Sequence, residues 1–142
     1  MTLDPFSRAN IYTRPPTILV VEDDQFVREV TICILERALF STLPAANARE
    51  AVENYKASVH TIDLLMSDMV LPGKTGQQLG QELRQFCPTL PLLLTSGYVH
   101  LSNTIEAPES GIYFIAKPYS ARWLIAKIKS ILDAPTCAAR AG

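Results

Sequence analysis

The sequence predicts a single-domain α/β fold, in which a doubly wound, five-stranded parallel sheet carries helices on both faces. The first observation is an alternation of short apolar runs, typical of buried strands, with segments of helical periodicity. The second is size, because 142 residues, 48% of them hydrophobic, suffice for one core and contain no repeat or second domain. The third is that several apolar runs end directly in a charged or hydroxyl residue.

The first strand and helix form the clearest pair. Residues 17–21 (TILVV) are a β-branched apolar run, which predicts a central strand. From Gln25 to Phe40 apolar residues recur at every fourth position, which predicts an amphipathic helix with Asp24 as its N-cap. The residues of this repeat are Phe26, Val30, Ile34 and Ala38.

The second unit is a weak strand followed by a helix. Residues 41–46 (STLPAA) predict a strand at the edge of the sheet, because Pro44 cannot donate a hydrogen bond to a neighbouring strand. Asn47 and Glu50 resemble a capping box, which predicts that a helix begins at this point.

The third unit begins with an apolar run at residues 62–66, which stops at Asp68. The run is too short for a typical helix and predicts a buried strand, and a Pro-Gly pair then turns the chain. A helix is predicted over residues 76–86, and Pro88 ends it. Asp68 is therefore expected where a core strand opens into a loop.

Two further strands are predicted at residues 90–94 and 112–116, and Ser120 is the predicted cap of the last helix. Residues 98–111 have only a faint helical pattern, which predicts a short or mobile helix. The resulting divisions of the chain are an N-terminal arm or linker at 1–16, a domain at 17–132 and a C-terminal tail at 133–142.

Composition and charge argue against several classes of protein. The formal net charge of −1 disfavours direct nucleic-acid binding, which needs a basic face. No apolar run approaches the roughly 20 residues of a membrane span, and the N-terminus lacks the apolar core of a secretory signal. The cysteines are too scattered for a zinc site and are typical of reduced thiols in a cytoplasmic protein. They are Cys33, Cys87 and Cys137.

The polar residues at the strand ends are expected to meet. In a parallel sheet every strand delivers its C-terminal residue to the same edge, which is where ligands bind in open α/β sheets. Three carboxylates, two hydroxyls and one ammonium follow the predicted strands. In chain order they are Glu22 and Asp23, then Asp68, then Thr95 and Ser96, and finally Lys117.

This set of groups suits phosphoryl chemistry. Three close carboxylates repel one another, and a hard divalent cation such as Mg²⁺, which prefers oxygen ligands, resolves the repulsion. Asp68 can then act as a nucleophile towards phosphorus, as carboxylates do in aspartyl-phosphate enzymes. Thr95 can donate a hydrogen bond to a phosphoryl oxygen, and Lys117 can neutralise another.

Each residue alone also has a purely structural interpretation. The acids after the first strand could form a solvated turn, Thr95 and Ser96 could cap or turn the chain, and Lys117 could be an ordinary surface lysine. The joint arrangement is much less expected by chance, because these residues come from the ends of four different core strands.

Four segments, ILVVEDD, SDMVLPGKTG, LLLTSGY and FIAKPYS, resemble in order and spacing the response-regulator receiver domains of two-component signalling, the CheY-like family. The resemblance runs from about Thr17 to Leu132 and implies a flavodoxin-like sheet with strand order 2-1-3-4-5. It implies that Asp68 is the phosphoryl acceptor. It also implies Mg²⁺ bound by Asp23 directly, by Glu22 directly or through water, by Asp68, and by the backbone carbonyl of Val70.

The resemblance also implies a conformational switch. Thr95, with Ser96 beside it, would be the switch hydroxyl, Lys117 would bind the phosphate, and the Lys117–Pro118 bond would be cis. Phe114 occupies the position of the switch aromatic residue, which is often tyrosine in the family.

The function implied is acceptance of a phosphoryl group from a sensor histidine kinase or a histidine phosphotransfer protein, followed by control of a downstream output protein or attached domain. Catalysis would be limited to self-phosphorylation and slow self-dephosphorylation. LLLTSGY looks most like receivers attached to hybrid histidine kinases. One alternative is a degenerate receiver that serves only as a docking module. Another is a phosphatase of the haloacid-dehalogenase type, but Val70 stands where that class needs a general acid.

Overall fold

The computed structural model describes residues 14–58, 61–97 and 106–134 of the chain. The expectations for the arm at 1–13, for the segment at 98–105 and for the tail at 135–142 lie outside these residues. Within the described ranges the strands are β1 (Thr17–Val21), β2 (Ser41–Ala45), β3 (Leu64–Asp68), β4 (Val70–Leu71), β5 (Lys74–Thr75), β6 (Leu92–Ser96) and β7 (Ile112–Ala116).

The helices of the described ranges pack on both faces of the main sheet. One face is covered by α2 and α3, and the other by α1 and α4, with a separate apolar cluster under each pair. Because successive strand residues point to opposite faces, Leu19 and Val21 of β1 enter one cluster and Ile18 and Val20 the other. The helices are α1 (Gln25–Arg37), α2 (Ala48–Ala57), α3 (Gly76–Leu83) and α4 (Ala121–Asp133), and a 3₁₀ turn covers Pro108–Ser110.

The main sheet has the order β2-β1-β3-β6-β7, and every neighbouring pair is parallel. With the small β4–β5 hairpin left out of the count, this is the predicted order 2-1-3-4-5. The strand containing Pro44 lies at an edge, as predicted from its missing donor. In register, Asp68 at the end of β3 faces Thr95 of β6, so strand pairing alone brings these two residues side by side.

The predicted caps form, with one difference. Asp24 accepts a hydrogen bond from the Val27 N–H, and Ser120 accepts one from the Trp123 N–H. Asn47 caps α2, but the Glu50 carboxylate accepts from the backbone N–H of Ala46. The predicted capping box therefore forms only in part, because the Glu50 side chain accepts from the N–H of Ala46, the residue before the cap, and not from that of Asn47.

A complete capping box, which the sequence analysis missed, starts α3. The Thr75 hydroxyl accepts from the Gln78 N–H, and the Gln78 side chain accepts from the Thr75 N–H. Thr75 also ends the β4–β5 hairpin, whose turn contains Gly73 at φ +87°. The hairpin was not predicted either, because its two-residue strands are too short to produce a periodic pattern.

Several predicted element boundaries were wrong by a few residues. Helix α1 ends at Arg37 rather than at residue 40, because Leu39 adopts the left-handed conformation (φ +72°) that commonly terminates helices. Helix α3 ends at Leu83, three residues before the predicted end. Strand β6 covers residues 92–96 rather than 90–94, so Thr95 lies within the strand and not after it.

Candidate functional site

The acidic residues predicted to converge do so. Glu22 and Asp23 directly follow β1, and Asp68 is the last residue of β3. One carboxylate oxygen from each of the three lies within 4.8 Å of the others. The cluster stands at the C-terminal edge of the sheet, and Glu22 in it is 7% exposed.

Two donors reach the same oxygen of Asp68. The Lys117 ammonium, directly after β7, donates to Asp68 Oδ1 at 2.6 Å and to Glu22 Oε1 at 3.0 Å. The Thr95 hydroxyl donates to Asp68 Oδ1 at 2.8 Å. The Lys117–Pro118 peptide bond is cis, as the resemblance implied. The ends of four different strands, β1, β3, β6 and β7, thus assemble one hydrogen-bonded unit around Asp68.

The ionisable side chains of the site change one another's pKa values. Burial raises the pKa of Glu22, and its interaction with Asp68 raises the pKa further, against the lowering effects of the Asp24 N–H and of Lys117. Burial by itself would lower the pKa of Lys117, but the hydrogen bonds and charges of Asp68 and Glu22 outweigh it, so this pKa is raised. Lys117 is therefore held as an ammonium, and it offsets only part of the clustered negative charge.

The backbone around Asp68 is held from two sides. The Met69 N–H donates to the Thr95 carbonyl at 2.8 Å, and the Gly76 N–H donates to the Met69 carbonyl at 2.8 Å. A Cβ atom on Gly76 would stand 2.1 Å from the carbonyl oxygen of Asp68. The absence of a side chain at Gly76 therefore allows α3 to begin directly beside the acceptor position.

Gly76→Ala is expected to disturb the site through this contact. The added methyl group meets rigid backbone, so either α3 or the end of β3 must shift, and we expect a loss of about 1–3 kcal/mol in the free energy of unfolding. Urea denaturation measures the loss. Gly97→Ala is the matched control, because its Cβ would meet no atom of the described residues within 4 Å. Equal stability of the two variants would show that the Gly76 contact does not constrain the fold.

A shallow pocket of about 330 Å³ opens above Asp68. Ser96 is buried in its wall and Val70 is exposed at it. Because the side chain of valine is a hydrocarbon, only the main chain of Val70 offers a polar atom. The oxygens of the acidic cluster match the ligand preference of a hard cation such as Mg²⁺. The residues that line the pocket are Asp68, Met69, Val70, Thr95, Ser96, Gly97 and Lys117.

Phe114 is not among the residues that line this pocket. It lies in β7 opposite Leu94 and packs, partly buried, against the apolar cluster under α2 and α3. Its backbone N–H donates to the Glu106 carboxylate at 2.9 Å, and the same oxygen accepts from Lys127 of α4 at 2.5 Å. β7 is an edge strand, so no strand of the main sheet lies on its outer side to accept hydrogen bonds. The Glu106 carboxylate accepts the hydrogen bond from the Phe114 N–H instead.

Glu106→Gln is expected to cost about 0.5–1 kcal/mol of stability at neutral pH, a modest value because a third of the Glu106 side chain is exposed. Burial tends to raise the pKa of Glu106, but Lys127 and the Phe114 N–H lower it below its ordinary value. A lowered folded-state pKa stabilises the protein above the unfolded-state pKa, and this contribution is lost as the pH falls through the folded value. Urea unfolding of wild type and of Glu106→Gln between neutral and acid pH measures the difference in their free energies of unfolding.

The control for this effect is Glu109→Gln, at an exposed acid of the 3₁₀ turn. The difference between wild type and Glu106→Gln should shrink towards acid pH, while Glu109→Gln should stay close to wild type throughout. A Glu106→Gln difference that is independent of pH would contradict the ion pair.

Sequence reasoning missed some residues that support the site. Arg28 of α1 donates to the Glu22 carbonyl at 2.6 Å, and the Asp24 N–H donates to the Glu22 carboxylate at 3.1 Å. The Ser67 hydroxyl donates to the Asp68 carbonyl at 2.9 Å. Of these contacts, only the one made by Arg28 could have been suggested by the sequence, because Arg28 lies one helical turn after the cap residue Asp24. The other two contacts depend on local backbone geometry that periodicity does not encode.

None of the helices in the described part of the chain has the length and apolarity needed to cross a bilayer.

Comparison with known proteins gives one consistent result. The response regulator receiver domain model matches residues 18–129. The chain is 32% identical over 111 residues to the C4-dicarboxylate transport transcriptional regulatory protein DctD of Rhizobium meliloti (strain 1021), covering 78% of this chain and 24% of that protein. It is 30% identical over 118 residues to the sensor kinase CckA of Brucella abortus (strain 2308), covering 82% of this chain and 12% of that kinase. The chain thus spans a quarter or less of these two relatives.

Solved structures agree with the sequence matches. The crystal structure of the receiver domain from the hybrid histidine kinase CckA superposes with a TM-score of 0.72 at 33% identity, covering 82% of this chain and 99% of that one. A putative response regulator from Chloroflexus aurantiacus J-10-fl superposes with a TM-score of 0.75 at 31% identity, covering 85% of this chain and 100% of that one.

Proposed function

Because the chain belongs to the response regulator receiver domain family, we propose that Asp68 is the residue at which it accepts a phosphoryl group. Phosphoryl acceptance in two-component signalling is the general function of this family. The observation that carries the assignment is the convergence of Lys117 and Thr95 on one oxygen, Oδ1 of Asp68. Among the described residues, no donor is bonded to Oδ2, so this oxygen is available to attack phosphorus.

The step is a transfer in line from a phosphohistidine. Oδ2 of Asp68 forms the new O–P bond while the P–N bond breaks, and the electron pair of that bond stays on the imidazole of the donor. The Lys117 ammonium lies beside the reacting carboxylate and neutralises charge on the phosphoryl oxygens. The protein thus contributes positioning and electrostatics, which dominate phosphoryl transfer.

The acidic cluster is the proposed Mg²⁺ site. The carboxylates of Glu22, Asp23 and Asp68 and the backbone carbonyl of Val70 would hold the ion. When bound, Mg²⁺ supplies positive charge that stabilises the phosphoryl oxygens. The three carboxylates provide a site for which a cation is the natural counter-charge, because one lysine cannot offset all of them.

The switch is proposed to start at Thr95. Its hydroxyl now donates to Asp68 Oδ1, and a phosphoryl group on Asp68 offers stronger, charged acceptors. Moving a two-state element from 1:99 to 99:1 takes about 5.5 kcal/mol. Two or three charge-assisted hydrogen bonds of about 1.5–3 kcal/mol each can supply that amount. Phe114, which lies opposite Leu94 next to Thr95, would fill the space that the hydroxyl leaves.

The partners follow from this chemistry. A sensor histidine kinase or a histidine phosphotransfer protein would be the donor, and a downstream output protein or an attached output domain would respond. We place the chain in the cytoplasm with that donor. Its own catalysis is proposed to stop at self-phosphorylation and slow self-dephosphorylation, since the exposed Val70 side chain offers no proton for phosphatase turnover.

The test is intact-mass spectrometry after incubation with acetyl phosphate and Mg²⁺. One added phosphoryl group per chain is expected, and EDTA should prevent its addition. Asp23→Ala should raise the Mg²⁺ concentration for half-maximal phosphorylation at least about tenfold, because it removes a ligand.

Two results would contradict the proposal. The first is the absence of an adduct together with no binding of beryllofluoride, which would indicate a docking module. The second is sustained turnover of a generic phosphomonoester, which would indicate a phosphatase.

A further inference from the structure

The end of α3 brings a thiol close to a buried hydroxyl group. Cys87 follows α3 and lies, partly buried, against the apolar cluster under α2 and α3. Tyr55 of α2 belongs to the same cluster and is completely buried. Because α3 begins at Gly76, beside Asp68, Cys87 stands at the opposite end of this helix from the acidic cluster.

The hydroxyl group of Tyr55 is buried without a partner. Among the residues that the structure describes, none forms a hydrogen bond with it. A buried tyrosine usually finds a partner for its O–H group, and an unsatisfied buried donor lowers stability because it has lost its hydrogen bonds to water. The ring itself is packed, with its centre 6.2 Å from that of the Phe86 ring. Packing therefore accounts for the ring of Tyr55 but not for its hydroxyl group.

The thiol of Cys87 is a close neighbour of this hydroxyl group. Burial raises the pKa of Tyr55, and the nearby Cys87 thiol raises that pKa further. The thiol is thus near enough to act on the hydroxyl group, but the two do not meet in the geometry of a hydrogen bond. The Cys87 sulfur also lies 3.7 Å from the hydroxyl oxygen of Thr89. Two hydroxyl groups, one of them unpartnered, therefore lie near one sulfur atom.

An oxygen atom on the Cys87 sulfur would give the Tyr55 hydroxyl group the acceptor that it lacks. A thiol sulfur is only a weak hydrogen-bond acceptor, whereas a hydroxyl oxygen has two acceptor lone pairs. Oxidation of a cysteine to a sulfenic acid (S–OH) adds one such oxygen, and the product is lost when it reacts with a second thiol or with more oxidant. Partial burial of Cys87 admits a small oxidant more readily than a second protein thiol. Cys87 therefore lies where a sulfenic acid can form and persist.

We propose that Cys87 is a site of reversible oxidation by hydrogen peroxide, and that the Tyr55 hydroxyl group donates a hydrogen bond to the oxygen of the resulting sulfenic acid. The site includes no residue of the acidic cluster, so its chemistry is independent of phosphoryl acceptance by Asp68.

The oxidation is a two-electron step. The Cys87 thiolate attacks one oxygen of hydrogen peroxide, so the S–O bond forms as the O–O bond breaks. The sulfur is oxidised, the peroxide is reduced, and the departing hydroxide takes up a proton to become water. A small-molecule thiol reverses the step, because a first thiol forms a mixed disulfide with release of water and a second thiol regenerates Cys87.

Chemical trapping tests the site. The full chain is treated with hydrogen peroxide and then denatured in dimedone, which labels sulfenic acids, and peptide mass spectrometry assigns the label to Cys33, Cys87 or Cys137. We expect at least about threefold more label on Cys87 than on the exposed Cys33. Tyr55→Phe should lower the label on Cys87 at least about threefold and leave that on Cys33 unchanged. Tyr113→Phe is the matched control, because Tyr113 packs against the other apolar cluster, and it should label like wild type.

Stability provides a readout that a purely structural role of Tyr55 would not produce. Thermal melting is measured before and directly after oxidation, in a chain that carries Cys33→Ser and Cys137→Ser so that Cys87 is the thiol left. In the reduced state, adding Tyr55→Phe should leave the chain at least as stable, because it removes an unsatisfied buried hydroxyl group. After oxidation the order should reverse, because only the tyrosine donates to the sulfenic acid.

Three results would overturn the proposal. The first is the absence of label on Cys87. The second is equal labelling of Cys87 in wild type and in Tyr55→Phe, which would show that the hydroxyl group does not hold the sulfenic acid. The third is an equal loss of stability from Tyr55→Phe in both oxidation states, which would show that the hydroxyl group already has a partner, such as an ordered water molecule, before oxidation.

Discussion

Asp68→Asn is expected to abolish phosphorylation by acetyl phosphate or by a phosphohistidine donor, with a rate at least about 10³-fold below that of the unchanged chain. The amide oxygen keeps nearly the same position and can still accept the hydrogen bond from Thr95, but it carries no negative charge. The substitution therefore removes the nucleophile with little change in the packing at the end of β3. Intact-mass spectrometry over time measures the loss directly.

Asp63→Asn is the matched control for this prediction. Asp63 is also a partly buried acid, and it accepts from Arg14 at 2.9 Å and from the Thr17 N–H at 2.8 Å. It immediately precedes β3, and Asp68 ends that strand, so the same chemical change is made at opposite ends of one element. The control should phosphorylate at a rate close to that of wild type. An adduct on the Asp68→Asn chain at the normal rate would show that the acceptor lies elsewhere.

Lys117→Ala is expected to slow phosphorylation by about 10²-fold, because it removes the charged donor that lies 2.6 Å from Asp68 Oδ1. The variant also leaves Glu22 and Asp68 without their lysine partner, next to the third carboxylate, Asp23. Removing one partner of a buried ion pair commonly costs about 3–5 kcal/mol of folding stability. Because 27% of the Lys117 side chain is exposed, we expect a loss of about 3 kcal/mol or less for Lys117→Ala. Added Mg²⁺ should restore part of the stability, since it supplies the missing counter-charge.

Urea unfolding with and without Mg²⁺, together with acetyl phosphate kinetics, separates the two effects of Lys117. Lys74→Ala is the control, because Lys74 also pairs with a carboxylate, Glu82 at 2.6 Å, but makes no contact with the acidic cluster. The control should phosphorylate normally and lose less than about 1 kcal/mol. If Lys117→Ala behaves like Lys74→Ala in both assays, the ammonium has no role in the reaction.

The strand ends show how much of the site the sequence could predict. Asp68 follows a buried run, and Lys117 follows the apolar run at 112–116, so both positions could be derived from hydrophobic patterning and from the common direction of parallel strands. The roles of these residues needed more than a pattern. They came from the resemblance of four segments to the receiver family, to which the chain belongs.

Other features of the site depend on packing between distant residues. Lys117 and Glu22 are 95 positions apart, and their distance of 3.0 Å follows from the strand order β1-β3-β6-β7. No local pattern signals that a Cβ on Gly76 would collide with the Asp68 carbonyl, or that Glu106 would hold the Phe114 N–H.

The sequence by itself determined the fold class, the edge position of β2 and the set of residues at the C-terminal edge of the sheet. These features depend on alternation, on the missing donor of Pro44 and on strand direction, all of which are local properties. The tertiary structure decided that Lys117 and Thr95 share one oxygen of Asp68, and that the apolar repeat of α1 borders an open groove beside α4. Periodicity shows that a helix has an apolar stripe, but only the packing of its neighbours determines whether that stripe is covered.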